Sequence, residues 1–590
     1  MIQVTINGQA LSVEPETTVL QAARQAGISI PTLCFLEKHD PLGACRVCMV
    51  EVEGAKTLMA ACATPCAEKM VVHTNTRRVR TARKQVVDLL LSEHDGNCQL
   101  CDRSEDCELR KLAADLGVRE LTYTGARAAP MRDTSTPGLV RDNSKCIKCR
   151  RCVTVCNTVQ GVGALFPQGR GFATVIGPAF TQQLDGVACV QCGQCAAVCP
   201  VGAITEHSAI EAVWRALDDP TKTVVVQTAP AIRAALGEAF GYPPGTRVTG
   251  KMVSALRQLG FHAVFDTNFA ADLTIMEEGT ELLTRLKGAL VEKRPVALPM
   301  FTSCSPGWIK FAEYYYPQFL PNLSTCKSPQ QMFGALAKTY YAQKIGKKAD
   351  ELVVVSVMPC TAKKFEAQRP EMNASGARDV DHVLTTRELA RMIHEAGIDF
   401  AALPDGEMDA PLGLSSGAAD IFANTGGVME AALRTAYEIV TGRELPTGNL
   451  HVEPIEGLQG IKEAALTITG TKPEWSFLEG VELRVAVCHG LGNTRRLLER
   501  IRNKEATYHF VEVMTCPGGC IGGGGQPRFT DDAVRLKRIA AIYAEDEGKT
   551  LRKSHENKQV ADLYATFLGA PLGHRSHTLL HTHYASREKE

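Results

Sequence analysis

The sequence predicts a multidomain protein of mixed α+β and α/β class, and three observations carry that prediction. The chain has 590 residues, enough for about three to five domains. Its 22 cysteines fall mostly in tight C-x-x-C groups in the N-terminal third. From about Thr221 onward, apolar strand-like runs alternate with helical stretches. A hydrophobic content of 45% supplies large cores. The net charge of +0 gives no support for a nucleic-acid or acidic-membrane partner. Met1 opens directly on strand sequence, without a targeting pattern, and no apolar run approaches the ~18 residues of a membrane span. The expectation is a cytoplasmic protein, where closely spaced cysteines read as metal ligands rather than disulfides.

Residues 1–76 read as a small β-rich domain. Alternation at Ile2–Ile6, a turn at Asn7-Gly8 and a second run to Val13 make a hairpin, and Thr18 to Gly27 has helical character. Cys34, Cys45, Cys48 and Cys62 follow as a C-x10-C-x2-C-x13-C series. Four thiolates on a β-rich frame suit a [2Fe–2S] cluster, with a four-cysteine zinc site as the alternative. Cys66 competes with Cys62 for the fourth place, and Cys62 is preferred.

Residues 77–125 begin with a basic, then apolar helix (Arg77 to Leu91) that delivers His94, Cys98, Cys101 and Cys107. Three cysteines lack one ligand for a [4Fe–4S] cluster, and His94 stands just upstream with the right chemistry. An imidazole in place of a thiolate makes such a cluster less negative and raises its potential.

A linker rich in Ala, Pro and Thr (about Thr124 to Gly138) leads into the one clear internal repeat, within residues 136–212. Cys146-x2-Cys149-x2-Cys152-x3-Cys156 recurs as Cys189-x2-Cys192-x2-Cys195-x3-Cys199, followed by Pro200. This spacing is the signature of two [4Fe–4S] cubes in which each fourth cysteine serves the other cube. Cys146, Cys149, Cys152 and Cys199 form one set; Cys189, Cys192, Cys195 and Cys156 form the other.

Residues 218–590 read as an α/β domain with largely parallel sheet. Strands are expected at Thr223–Gln227, Val296–Pro299, Leu352–Val357, Leu483–Val487 and His509–Met514, and helices at Ile232–Phe240, Glu281–Val291 and Thr386–Ala396. Val485–Asn493 is an ordinary strand-to-helix turn, because its lone G-x-G lacks the rest of a nucleotide fingerprint. The organising stretch is Glu512 to Pro527, EVMTCPGGCIGGGGQP, with Cys516 and Cys520 before the glycine run Gly522 to Gly525. Thiolates so close bind soft metal or form redox pairs, and the glycines are expected to let the backbone approach a large inorganic group and take positive φ. Glu278, Glu281 and Arg285 lie at i, i+3 and i+7, which by itself describes a solvated helix face.

With TSCSPGW, MPCTAKKFE and EVMTCPGGCIGGGGQP in this order, the sequence closely resembles the [FeFe]-hydrogenases, and more narrowly the catalytic subunits of NAD(P)-linked, multisubunit members. The resemblance extends over nearly the whole chain, from the N-terminal cysteine series to the LLHTHY ending. It implies a β-grasp [2Fe–2S] ferredoxin-like domain, a histidine/cysteine-ligated cluster domain, a two-[4Fe–4S] ferredoxin-like domain and a large α/β H-cluster domain. The H-cluster is a [4Fe–4S] cube joined through a cysteine sulfur to a di-iron azadithiolate unit carrying CO and cyanide. By position, Cys360 and Cys516 would bind the cube and Cys520 would bridge to the di-iron. Lys363 would bond a cyanide; Met358 and Met514 would pack about the di-iron; Pro359, Gly519, Gly523 and Gln526 would border the cofactor. Cys304, Glu278, Ser324, Glu281 and Arg285 match a proton relay to the surface.

One departure stands out. The family's two adjacent cysteines before the proline are Cys304-Ser305 here. Register makes Cys304 the relay and leaves Ser305 in the ligand place. Either Ser305 binds iron through oxygen, or Cys304 binds and the relay is altered, or the cube is coordinated unusually. With Cys304 counted as a ligand, Cys66, Cys326 and Cys488 remain as packing residues.

The implied activity is reversible H2 ⇌ 2 H+ + 2 e−, with one [2Fe–2S] and three further [4Fe–4S] clusters as wiring. The implied partners are a flavin/NAD(P)-binding subunit, a small [2Fe–2S] subunit and ferredoxin. Two other readings are an H-cluster hydrogen sensor of low turnover and an electron-transfer subunit of NADH-dehydrogenase type.

Overall fold

The computed structural model describes residues 1–590 apart from 126, 128–129, 447–452, 455–459, 529 and 589–590. Part of the expected 124–138 linker therefore lies outside the described residues. Strands Ile2–Ile6 and Gln9–Val13 pair antiparallel, Ile6 opposite Gln9 and Ile2 opposite Val13. The turn between them needs two positive φ angles, which Asn7 (50°) and Gly8 (85°) supply. The pair extends through Met70–His73, parallel to Ile2–Ile6, to Met49–Val52 and Met59–Ala60. Val4, Ile6 and Val13 share a core with helix Val19–Gln25, whose first turn is fixed by a Thr18/Gln21 capping box. A mixed five-stranded sheet with one helix packed on it is the expected β-grasp.

Helix Arg77–Glu93 leaves this sheet and ends immediately before His94. It is tied back by Arg83, whose guanidinium donates to the Met49 carbonyl at 2.7 and 3.1 Å. The cysteine repeat has a structural counterpart. Short helices Arg151–Thr154 and Gln194–Val198 each start after a left-handed residue, Arg150 (φ 63°) and Gly193 (φ 73°), and strands Leu139–Asp142 and Ile204–Glu206 pair antiparallel beside them.

The C-terminal lobe is built on two sheets. One has four parallel strands in the order Ala263–Asp266, Thr223–Thr228, Leu352–Met358, His382–Thr385. The other runs Met300–Phe301, Phe510–Met514, Glu482–His489, Ile461–Thr467, Glu453–Pro454, parallel over its first three strands and antiparallel beyond. Helix Thr267–Leu290 packs against helices Pro329–Leu336 and Gly427–Thr441 and is buried on nearly every side. That is the pattern of a core helix and not of a surface one. Glu278 and Glu281 are therefore interior, and the solvated-face expectation for them fails.

Two expected elements shift. Ile232–Phe240 is not one helix but two 3-10 turns, Pro230–Ile232 and Leu236–Phe240, separated by the non-helical backbone of Ala235 (φ −130°). The strand expected at Val296–Pro299 is irregular, and pairing begins only at Met300–Phe301, past Pro299. The turn after Glu482–His489 feeds helix Leu491–Arg502, as expected.

Buried charge stitches the lobe together. Arg233 bridges Asp266 (2.9 and 3.0 Å) and Asp420 (2.8 Å), all three nearly solvent-free. Replacing Arg233 with Met leaves buried Asp266 without its cation, while Asp420 keeps Lys549 at 2.6 Å, and the expected loss is about 3–5 kcal/mol in the chemical unfolding of this lobe, followed by tryptophan fluorescence. A loss under about 1 kcal/mol would show that Arg233 does not hold Asp266.

Candidate active site

The three cysteine loops all start at carboxyl ends of parallel strands: Cys304 follows Met300–Phe301, Cys360 follows Leu352–Met358, and Cys516 follows Phe510–Met514. Carboxyl ends are where open α/β sheets place their ligands. Here the ends of both sheets face one cavity with about 750 Å³ of empty space. Cys304, Ser305, Cys360, Cys516 and Cys520 line it, with Met358, Pro359, Lys363, Met514, Gly519 and Gly523. Both methionines are 3% exposed.

The glycines do something other than expected. Gly518 and Gly519 have positive φ (79° and 94°), but Gly522 to Gly525 do not. What a side chain would strike at those four positions is protein. Gly523 lies against the Pro359 carbonyl, Gly524 against Cys192 and Gly193, and Gly525 against Thr385 and Pro359. The run therefore lets one cysteine loop lie flat on two others, with Gly525 N–H donating to Pro359 O at 2.7 Å.

Burial pushes the Cys520 thiol up to about 12, and the Cys360 charge adds to the shift. The Cys516 and Cys360 thiols are also pushed up, first by burial. Buried thiols this close ionise together only around a cation, which is the chemistry of a metal-ligating set. Lys363 Nζ donates to Glu366 (2.9 Å) and to the Cys304 carbonyl (3.1 Å), so its charge is held at the cavity wall. Gln526 is buried beside the loop, accepting from Thr386 (2.7 Å) and donating to Ala231 O (3.1 Å) and to the Cys520 carbonyl (3.5 Å), and so positions that loop.

From Cys304 a polar line runs outward along helix Thr267–Leu290. Glu278 is the strongest charge acting on the Cys304 thiol, and it meets the Ser303 N–H and the Ser324 hydroxyl. Burial, reinforced by Glu281, pushes the Glu278 carboxyl up to about 8. Ser324 Oγ donates to Glu281 at 2.8 Å, and Arg285 donates to Glu281 at 2.6 Å and to the Leu323 carbonyl at 2.8 Å. All five relay residues named from sequence are brought into one line.

Sequence reasoning missed the branch. Thr325 joins Glu281 to His581 (2.8 Å), whose other ring nitrogen meets Glu277 at 3.0 Å, and Tyr564 donates to Glu277 at 2.5 Å. The LLHTHY ending was the available signal, but nothing in it points 300 residues back. Glu512 was also given no role. Its carboxylate accepts from Gly426 and Met429 N–H (2.6 and 2.8 Å) at the start of helix Gly427–Thr441.

The upstream cysteines lie in groups. Cys34, Cys45, Cys48 and Cys62 interact directly, with Cys48 and Cys62 sulfurs 3.4 Å apart, while Cys66 stands apart in the core. Cys199 is the common neighbour of Cys146, Cys149 and Cys152; Cys156 neighbours Cys189 and Cys195. His94 is buried, its pKa pushed down by that burial, and its Nδ1 has no hydrogen-bond partner while the ring bonds the Lys145 backbone. One nitrogen anchored and the other free is how a metal-ligating imidazole is held. Cys101 packs on Gly202 of the repeat, Cys152 and Cys195 are neighbours across it, and Cys192 is a neighbour of Cys516. From Cys101 onward the cysteine sites thus form a succession to the cavity.

Comparison with known proteins agrees with this geometry. Residues 222–524 match the family model "Iron only hydrogenase large subunit, C-terminal domain", and 532–587 match "Iron hydrogenase small subunit". Residues 1–77 match a 2Fe-2S iron-sulfur cluster binding domain, 83–121 the NADH-ubiquinone oxidoreductase-G iron-sulfur binding region, and 145–203 a 4Fe-4S dicluster domain. The NADP-reducing hydrogenase subunit HndD of Solidesulfovibrio fructosivorans is 53% identical over 100% of both chains. Iron hydrogenase 1 of Clostridium pasteurianum is 42% identical over 99% of this chain and 100% of its own. The solved apo [FeFe]-hydrogenase HydA1 of Chlamydomonas reinhardtii superposes with a TM-score of 0.59 at 47% identity, covering 64% of this chain and 99% of that one. With its cavity of converging thiols, its succession of cysteine sites and these matches, the chain belongs to the iron-only, or [FeFe], hydrogenases.

Proposed function

We propose that this chain is the hydrogen-activating subunit of an NAD(P)-linked hydrogenase complex, interconverting H2 with protons and electrons at an H-cluster held in the cavity that Cys360, Cys516 and Cys520 line. The observation that carries the reading is the meeting of Cys360, Cys516 and Cys520 in one apolar cavity, with the Cys192 carbonyl of the cysteine repeat packed on Gly524 of the loop that bears two of them. The bound H-cluster, with its CO, cyanide and azadithiolate ligands, supplies the H–H bond cleavage itself. Cys360 and Cys516 would hold its cube, and Cys520 would be the cysteine shared with the di-iron. Met358 and Met514 keep water from the di-iron, Pro359, Gly519 and Gly523 shape its bed, and Lys363 presents a cation to a cyanide. Cys304 would pass protons to Glu278 and Ser324 would carry them to Glu281, which Arg285 holds in place at the outer end by donating to it.

Electrons travel through three further [4Fe–4S] clusters and one [2Fe–2S]. The His94 site and the [2Fe–2S] domain are where partner subunits deliver or take them. Leu100, 80% exposed between Cys98 and Cys101, gives the His94 site an apolar outer face. The partners in this reading are a flavin/NAD(P)-binding subunit, a small [2Fe–2S] subunit and ferredoxin, in the cytoplasm. No described helix is long and apolar enough to cross a membrane. Full-length similarity to an NADP-reducing hydrogenase subunit favours this reading over a sensor or a pure electron carrier. Protein matured with its di-iron unit is expected to reduce viologen with H2 and to show infrared bands of iron-bound CO and cyanide. Bands without turnover would support the sensor, and neither would support the carrier.

Changing Cys520 to Ala is expected to abolish the infrared bands while leaving the upstream clusters' EPR signals intact. Surviving bands would refute its bridging place.

Glu278→Gln is expected to slow turnover in both directions by about 10²–10⁴-fold, the usual worth of a positioned proton carrier. In the unchanged enzyme, Glu278 must be ionised to accept a proton and protonated to give one. H2 oxidation should therefore gain, and H2 evolution lose, as pH rises through about 8. The same shift has a stability consequence. The folded pKa of about 8 lies above the ordinary 4.5, so its contribution is fully present below 4.5 and is lost as pH rises through 8. Rate and melting profiles against pH check both, and identical profiles in Glu278→Gln would exclude Glu278 as the titrating group.

A further inference from the structure

Ser305 precedes helix Pro306–Tyr315 in the N-cap position. A serine there ordinarily accepts a hydrogen bond from a first-turn N–H. This one caps nothing. Its hydroxyl turns to Thr515, with Oγ 2.7 Å from Thr515 Oγ1 and accepting the Thr515 N–H at 3.2 Å. The approach is close because residue 307 is glycine: a Cβ there would meet the Thr515 side chain at 2.8 Å. Ser305 and Thr515 both border the cavity with Cys360, Cys516 and Cys520. Cys304 is committed elsewhere, its thiol beside Glu278 and its carbonyl bonded by Lys363.

An alkoxide oxygen has three lone pairs. Thr515 can offer two donors to Ser305 Oγ, one from backbone N–H and one from Oγ1–H, which leaves one lone pair directed to a metal. We propose that Ser305 is the fourth protein ligand of the H-cluster cube, bound as an alkoxide, and that Thr515 is the positioning residue that stabilises it. The proposal rests on the reading of Cys360, Cys516 and Cys520 given above. When the cube is assembled the Fe–O bond forms and the Ser305 hydroxyl proton passes to buffer; no electron changes hands. Oxygen is a harder ligand than thiolate and favours the more oxidised iron, so the cube's potential is lower than with four sulfurs. The two Thr515 hydrogen bonds draw charge from the oxygen and oppose that fall.

The test uses the full chain carrying its cubes but no di-iron unit, read by iron content, Mössbauer and EPR spectra. A chain with Cys360→Ala and Cys516→Ala provides the difference baseline. Ser305→Ala is expected to lose one iron in four from this cube on mild oxidation and to show a three-iron EPR signal. Ser305→Cys keeps the cube intact and raises its midpoint potential, and Thr515→Val keeps it and lowers the potential. If Ser305→Ala proves unstable, the opposite potential shifts of the other two variants still decide. Unchanged iron content and potential across all three variants would overturn the proposal alone, as would loss of the cube in Cys304→Ala with Ser305→Ala unaffected. A blank difference spectrum for the unchanged chain would overturn the C-terminal cube, and this proposal with it.

Discussion

Everything at the centre of this molecule depends on backbone lying directly on backbone. The loop after Phe510–Met514 rests on the loop after Leu352–Met358 through Gly523 and Gly525, and on the cysteine repeat through Gly524. Gly193 on the facing side is equally constrained, since a side chain there would strike Thr361. A methyl group at any of these contacts would wedge the loops apart and disperse the thiols. The same contacts set Cys192 beside Cys516, so the geometry that builds the cavity also brings the electron route to it.

The polar line that leads away from Cys304 is made of other material. Helix Thr267–Leu290 is enclosed nearly all round, yet it carries Glu277, Glu278 and Glu281 into the interior. Buried carboxylates are costly unless they are bonded. Two of these are bonded by Ser324, Thr325, Arg285, His581 and Tyr564, and Glu278 bears the cost as a raised pKa. The desolvation that burdens the fold is thus also what brings the Glu278 carboxyl toward the neutral pH range.

Much of this was legible before any coordinates. Cluster-binding cysteines declare themselves by spacing, because each C-x2-C pair must reach one small inorganic body from adjacent turns of chain. The hairpin at Asn7-Gly8, the crossed sets of the repeat and the choice of Cys62 over Cys66 follow from local rules of that kind. Less legible were the packing of the glycine run and the hydrogen-bond partners of Gln526. Each is settled by what packs against it from far away: Pro359 and Thr386, respectively.

The sequence by itself determined which residues can hold metal and which strands end in functional loops, since spacing and periodicity are properties of neighbours along the chain. Only the tertiary structure decided that Glu278 and Glu281 are interior, that His581 joins Glu281 through Thr325, and that Ser305 turns from its own helix to Thr515. Those facts depend on which distant surfaces meet. Burial and hydrogen bonding between segments hundreds of residues apart leave no periodic trace in the chain that encodes them.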